Sequence, residues 1–429
     1  MRGGGSDVRG RHRIIWGSAA LAVALIGTAP AALAGDASPR DTSVRRCTAE
    51  GAGFYYIPGS DTCLRLGGYL WTETYLNSYT DYPAGNDRLY WVATYGFEMD
   101  ARTATEYGTL RSYMELRMIW RTADPFSGAP SEPFFQPWDM HIEFSGLTAG
   151  LTQSFFDFYA NANVLGTDPA TIGDQTQLPL LGYTWSLANG YTARLSIEDS
   201  AVRDVGVLSA DATVPSDSFR PATRLPDVVG TFGQNADWGQ FQLSGALHQI
   251  AAGAGSDSVV GTSSHEWGYA LQAGVMFNLP QIATGDTLYL QAAYADGAVS
   301  YLGLIDPSGD FTAPDAFVRG DGSLARTRGW SVVGQYLHNW NANWNSAIFG
   351  GYGTFDITDT LARATYGASG VANINAGANL TWTPVAPLSI TLQYDYNLYQ
   401  AQDWRPTADS LPVASQQAHQ LMLMVARTF

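Results

Sequence analysis

"LYWVATYGFEMDAR", residues 89–102, decides the fold. Its odd positions are Leu89, Trp91, Ala93, Tyr95, Phe97, Met99 and Ala101. Its even positions are Tyr90, Val92, Thr94, Gly96, Glu98, Asp100 and Arg102. Side chains alternate across a strand, so the odd set makes one apolar face and the even set ends in three charges; a helix would scatter both. Residues 110–121 divide in the same way. Leu110, Met114, Leu116, Met118 and Trp120 share one face, while Arg111, Tyr113, Glu115, Arg117 and Arg121 share the other. Ile119 is the apolar exception on the charged side.

The alternation continues along the chain. Trp267, Tyr269, Leu271, Ala273, Val275 and Phe277 alternate with Glu266, Gly268, Ala270, Gln272, Gly274 and Met276. Ile374 to Trp382 and Ile390 to Leu398 repeat the pattern against Asn, Thr, Gln, Gly and Asp. A soluble sandwich would show mixed surface charge with Lys on its polar face. This chain has no Lys, and its polar face suits a water-filled interior. Trp and Tyr recur near the segment ends, as membrane-interface girdles require. Short turns near residues 103, 188, 237, 340 and 384 alternate with long connections such as 122–137, 159–178, 200–222, 303–326 and 357–370, read as polar loops. Sixteen segments fit between residues 64 and 429. Those at 138–146, 148–158, 179–187 and 191–199 alternate least clearly. The fold expected is all-β: a 16-stranded antiparallel transmembrane barrel over 64–429, wide enough for an aqueous channel.

The N-terminus sets the compartment. Arg2, Arg9, Arg11 and Arg13 precede an apolar run over 14–29, and "APAALA" ends in small residues at Ala32 and Ala34. This reads as a secretory signal peptide over 1–34. Its removal takes four of the 23 Arg and one of the 39 acids, leaving 19 against 38 and a formal charge of −19. So acidic a chain is a poor nucleic-acid binder, and no nucleic-acid partner is expected. After residue 34 no 18-residue apolar run follows, which leaves strands as the way to cross a membrane. The closing "LMLMVARTF" puts an aromatic, Phe429, at the end of the last strand, as outer-membrane barrels do.

Only two cysteines occur, Cys47 and Cys63. Two ligands without a nearby His do not make a metal site, and fifteen residues between them exclude C-x-x-C redox chemistry. In an oxidising compartment they read as a disulfide that closes the 47–63 loop, within a periplasmic segment over 35–63 just before the first strand. No metal or cofactor motif appears. There is no H-E-x-x-H, G-x-S-x-G or Walker sequence. His141-Ile142-Glu143 is an H-x-E without the P-C-x-x-C of the deaminases, and both charged members fall on the polar face of a strand. A barrel phospholipase or protease would need a Ser/His or Asp/His constellation that the scattered histidines do not form. No enzyme is expected.

Four stretches carry a resemblance. "CTAEGAGFYYIPGSDTCLRLGGYL" at 47–70, "LTAGLTQSFFDFY" at 147–159, "RLPDVVGTFGQNADWGQFQLSGALH" at 224–248 and "VARTF" at 425–429 resemble, in this order, the general porins of alphaproteobacteria, the Brucella and Rhizobium type. The resemblance implies a trimeric barrel among outer-membrane lipids. Its third loop would fold inward and narrow the pore, and small hydrophilic solutes and ions would pass by diffusion. The chain departs from the family at Trp71 and Leu151, where many relatives place basic lumen residues.

The candidate pore residues follow from parity and from that loop. Residues 157–178, "DFYANANVLGTDPATIGDQTQL", carry Asp157, Asp168 and Asp174 and no base. Arg111, Arg117 and Arg121 share the polar face of the third segment, joined by Arg65 on the first and Arg102 at the end of the second. Loop acids opposite wall arginines would set a transverse field at the narrowest point. The plainer alternatives are that Asp168, before Pro169, is a turn residue and that Glu115 pairs with its neighbouring arginines. Tyr69, Trp71 and Tyr75 share a face with Arg65 and Glu73, which leaves a sugar-type specific channel as the alternative function.

Overall fold

The computed structural model describes residues 44–80, 89–122, 133–160, 162–165, 175–211, 219–221, 225–254, 264–303, 313–406 and 414–429. The expected signal peptide, Asp168 and Asp174 lie outside these residues. Sixteen long strands form the wall. They are β1 Thr62–Thr80, β2 Leu89–Thr105, β3 Gly108–Arg121, β4 Phe134–Phe144, β5 Leu147–Gln153, β6 Gln177–Ser186, β7 Tyr191–Glu198 and β8 Asp227–Ala236. They continue as β9 Gly239–Ala254, β10 Ser264–Asn278, β11 Thr287–Asp296, β12 Leu324–Asn341, β13 Trp344–Ile357, β14 Gly370–Val385, β15 Leu388–Gln402 and β16 Ser415–Thr428. Each pairs antiparallel with the next in sequence, and β1 pairs with β16 from Tyr69 opposite Thr428 to Thr80 opposite Gln417. That last ladder closes the sheet.

Burial is inverted relative to a soluble domain. On β15, Gln393, Asp395 and Asn397 are at most 1% exposed, whereas Leu392 and Tyr394 between them are nearly half exposed. The same alternation of exposed apolar and enclosed polar positions runs through β2, β10 and β14. An outer face of Leu, Ile, Val and aromatics can meet lipid tails, and closure leaves each wall strand a neighbour for its backbone groups. Aromatic pairs mark the two rims. Trp344 and Trp382 stack at 5.8 Å beside the short turns, and Tyr269 and Tyr294 meet at 6.2 Å towards the long loops.

All sixteen expected segments are present, and their edges differ for physical reasons. β4 begins at Phe134, inside what reads as a loop, because a register shift at Glu115/Leu116 accommodates Pro137, which a regular ladder would exclude. β5 stops at Gln153, short of the expected 158, and the chain turns inward there. β11 ends at Asp296, and Val299–Leu302 forms a buried 3-10 turn.

The long connections are not simply polar loops. Val207–Ser209 pairs in parallel with Ala316–Val318, which also pairs with the start of β12. A short helix, Thr360–Tyr366, is capped by Asp359, whose carboxylate accepts from the Leu361 and Ala362 amides. Phe317, Phe355, Ile357, Tyr366 and Val371 pack into an apolar cluster of their own.

Before β1, Cys47 and Cys63 form the expected disulfide, with Cα atoms 5.9 Å apart. Tyr55–Tyr56 pairs antiparallel with Cys63 and Leu64. Phe54 is buried against the disulfide, and the Arg65 and Arg102 guanidiniums lie over its ring at 5.2 and 4.7 Å. β1 starts seven residues ahead of its pairing with β16, which ends where Gly68 and Phe429 exchange backbone hydrogen bonds.

Candidate functional site: the lumen wall and the third loop

The inner faces of β1 to β4 carry an ion-pair lattice. Asp100, 2% exposed, is its centre. Its carboxylate accepts from Arg102 Nη2 at 2.8 Å and Arg111 Nε at 3.1 Å, with Arg65 Nη2 at 3.5 Å. Arg111 also donates to Glu143 at 2.8 Å, and Arg102 reaches Glu50 at 3.5 Å. His141 Nε2 lies 3.7 Å from Glu143, while its Nδ1 bonds Asp139. Higher on the wall, Arg117 Nε donates to Glu115 at 2.9 Å and to the Tyr69 hydroxyl at 2.7 Å, and Tyr69 itself donates to Glu115. The Arg117 guanidinium lies 3.6 Å over the Trp138 ring. Trp138 occupies the extra position of the β4 register shift, and this turns its ring onto a lumen residue. Arg121 lies over Phe134 at 5.7 Å.

The third loop leaves the wall after Gln153. Glu198 on β7 anchors its start, accepting from the Ser154 hydroxyl at 2.6 Å and the Phe155 amide at 3.0 Å. The Phe156 carbonyl accepts from Gln242, Ser244 and Gln272 of β9 and β10. The Tyr159 amide donates to Gln291 on β11 at 2.8 Å. Further on, the Leu165 amide donates to Gln393 on β15, and Asn379 on β14 donates to the Asn163 carbonyl. Leu165 then packs against Tyr75, Tyr90, Val92, Ile119 and Met422. The described part of the loop therefore runs across the interior, from the β9–β11 wall to the opposite one. Ile119, the apolar exception on the polar face, faces inward to meet it.

The predicted pore residues fall into two groups. Arg65, Arg102 and Arg111 converge on Asp100, while Arg117 and Arg121 stand further along the same inner face. Asp157 is not brought to them. It is buried at the root of the loop, where its carboxylate takes Arg203 Nη2 at 2.7 Å and the Thr176 amide at 2.8 Å. Of the two departures noted in the sequence, Trp71 is in the lumen, stacked on Tyr69 at 4.3 Å and within 5.6 Å of the Arg117 guanidinium. Leu151 is on the outer face, opposite Met140 and Pro179, so it takes no place from a lumen base.

A closed wall, a polar interior and a loop strung across it describe a channel. The sequence model of the Porin subfamily matches residues 37–424. The chain belongs to the Porin subfamily. Among curated relatives it is similar to porin Omp2b of Brucella suis, 27% identical over 299 residues, 66% of this chain and 74% of that one. Porin Omp2b of Brucella canis is 27% identical over 294 residues, with the same shares. Among solved structures the porin is similar to the outer membrane channel DcaP of Acinetobacter baumannii, with a TM-score of 0.68 and 15% identity over 87% of this chain and 99% of that one. OmpF of Salmonella typhi, solved in complex with daunomycin, aligns at a TM-score of 0.51 and 11% identity, over 86% of this chain and 98% of that one. These two likenesses show the shared barrel fold. The porin is an outer-membrane channel for passive diffusion, and it makes and breaks no covalent bonds.

Sequence reasoning missed several of the porin's lumen residues. Asp100 stood on the right parity but read as one charge among three. Glu50 lies before the barrel and Arg203 in a long loop, where periodicity gives no guidance. Arg194 was legible, since Leu195 and Ile197 are outward and put Arg194, Ser196 and Glu198 on the inner face of β7.

Proposed function

We propose that the narrowest passage of this channel lies between the third loop and the β1–β3 wall, and that fixed charge there sets ion preference. The reading rests on the loop's hydrogen bonds to the inner faces of β9, β10, β11, β14 and β15. Arg65, Arg102, Arg111, Arg117 and Arg121 supply the wall's positive charge, much of it matched locally by Asp100, Glu115 and Glu143. On the loop side Asp157 fixes the root, and Asp168 and Asp174 supply the acid that faces the passage. Opposed charges at close quarters orient dipolar solutes and penalise apolar ones, which lose hydration without compensation. We also propose export through a signal peptide cleaved after Ala34 and assembly as a homotrimer, as the family resemblance implies. Reversal potential across a planar bilayer in a KCl gradient tests the eyelet. An Asp168→Asn, Asp174→Asn double variant moves it towards the chloride equilibrium potential. An unmoved potential removes both acids from the passage.

A further inference from the structure

Beneath the root of the third loop lies a cavity of about 720 Å³, lined by charged residues that include Arg102, Arg111, Arg194, Glu50, Glu143 and Asp157. Almost all of this charge is already committed. Glu50 and Glu143 pair with Arg102 and Arg111, which also share Asp100, and Asp157 pairs with Arg203. Glu198, on the same inner face as Arg194, is taken up by Ser154, Ser196 and the Phe155 amide. Arg194 is what remains. Among the described residues no carboxylate lies within ion-pair distance of it, and its guanidinium lies 5.6 Å from the centre of the Phe155 ring. Thr184 and Thr231 flank it on the neighbouring strands, and Thr184 and Thr148 share the cavity lining.

We propose that Arg194 is an oxyanion-binding subsite of the channel, a resting place for small carboxylates or phosphates in transit. An unmatched guanidinium on an aromatic shelf, in a partly enclosed polar space, loses water that only an anion or another carboxylate replaces well. Its planar fork suits two oxygens of one anion, and the threonine hydroxyls add donors beside it. The surrounding arginines cannot compete, because each is held by an acid of the wall. The subsite rests on the channel reading above and extends it from a charge pattern to a place where a class of solute pauses.

Two measurements on the purified full-length porin test it. In planar bilayers at about neutral pH, millimolar inorganic phosphate reduces the KCl current saturably, and acetate is titrated separately to distinguish the two anion classes. Arg194→Gln raises the half-blocking phosphate concentration at least about tenfold, the factor that roughly 1.4 kcal/mol represents. Arg194→Lys keeps a weaker block, because a point charge replaces the fork. In detergent solution, 31P line broadening of phosphate by wild-type porin, absent with Arg194→Gln, reads occupancy without any current. Retained heat-modifiable migration on gels shows that the variants are folded. Equal broadening with wild type and Arg194→Gln, or none with wild type, overturns the subsite. Broadening that depends on Arg194 in a protein that passes no current would instead overturn the channel reading and leave the subsite standing.

Discussion

Asp100 accepts from Arg102 and Arg111 and attracts Arg65, so one carboxylate holds down three positive charges on the lumen wall. Replacing it with Asn keeps the shape and removes the charge. A unit charge 4 Å from an ion in water is worth about 1 kcal/mol, about fivefold for each ion and opposite in sign for the two, so the chloride-to-potassium permeability ratio of Asp100→Asn rises by up to about 25-fold. Reversal potentials in a KCl gradient measure it, and an unchanged ratio would show that the lattice is shielded from permeating ions. Parity placed Asp100 and its arginines on one face correctly, because the two-residue period of a strand survives any tertiary context. It did not show that the arginines spend their charge on wall acids. That depends on cross-strand register, Arg111 opposite Glu143 and Arg65 opposite Asp100, which one strand's sequence does not contain.

The third loop is positioned as an element by backbone groups docking on lumen amides and by rings filling space that glycines leave. A Cβ on Gly274 of β10 would stand 2.1 Å from the Phe158 ring, so the ring occupies the place of the missing side chain. Gly274→Ala must displace it. Overpacking of this kind costs about 1–3 kcal/mol, and the variant's thermal transition, followed by circular dichroism, falls accordingly. Gly230→Ala, whose Cβ meets nothing within 4 Å, leaves the transition nearly unchanged. A fall of equal size in both would point to strand propensity rather than loop docking. The inward turn leaves a mark in the sequence. Phe155 and Phe156 are adjacent and apolar, which strict alternation forbids, and both are buried at the root of the loop. The short strands Val207–Ser209 and Ala316–Val318 leave no comparable mark. Three residues are too few for a period, and their order comes from a partner more than a hundred residues away.

At the scale of the whole molecule, the sixteen strands and their closure were readable because every strand must present one face to lipid. The N-terminal disulfide was readable because only two cysteines exist. Closing its loop contributes roughly 3 kcal/mol in the chain-entropy account, so Cys47→Ser, Cys63→Ser porin loses heat resistance on unheated gels relative to wild type. An equal melting profile would show that the pairing of Tyr55–Tyr56 holds the segment without the covalent bond. Where β1 runs past the end of β16, one edge of its first residues has no wall strand beside it and would offer unpaired amides and carbonyls to another chain. Tyr55–Tyr56 covers Cys63 and Leu64 there, and the disulfide keeps it in place. The cysteine loop thus acts as a guard against strand addition between molecules. Under reducing conditions, concentrated porin in detergent should self-associate through the rim that carries Cys47 and Cys63 while its channel stays open.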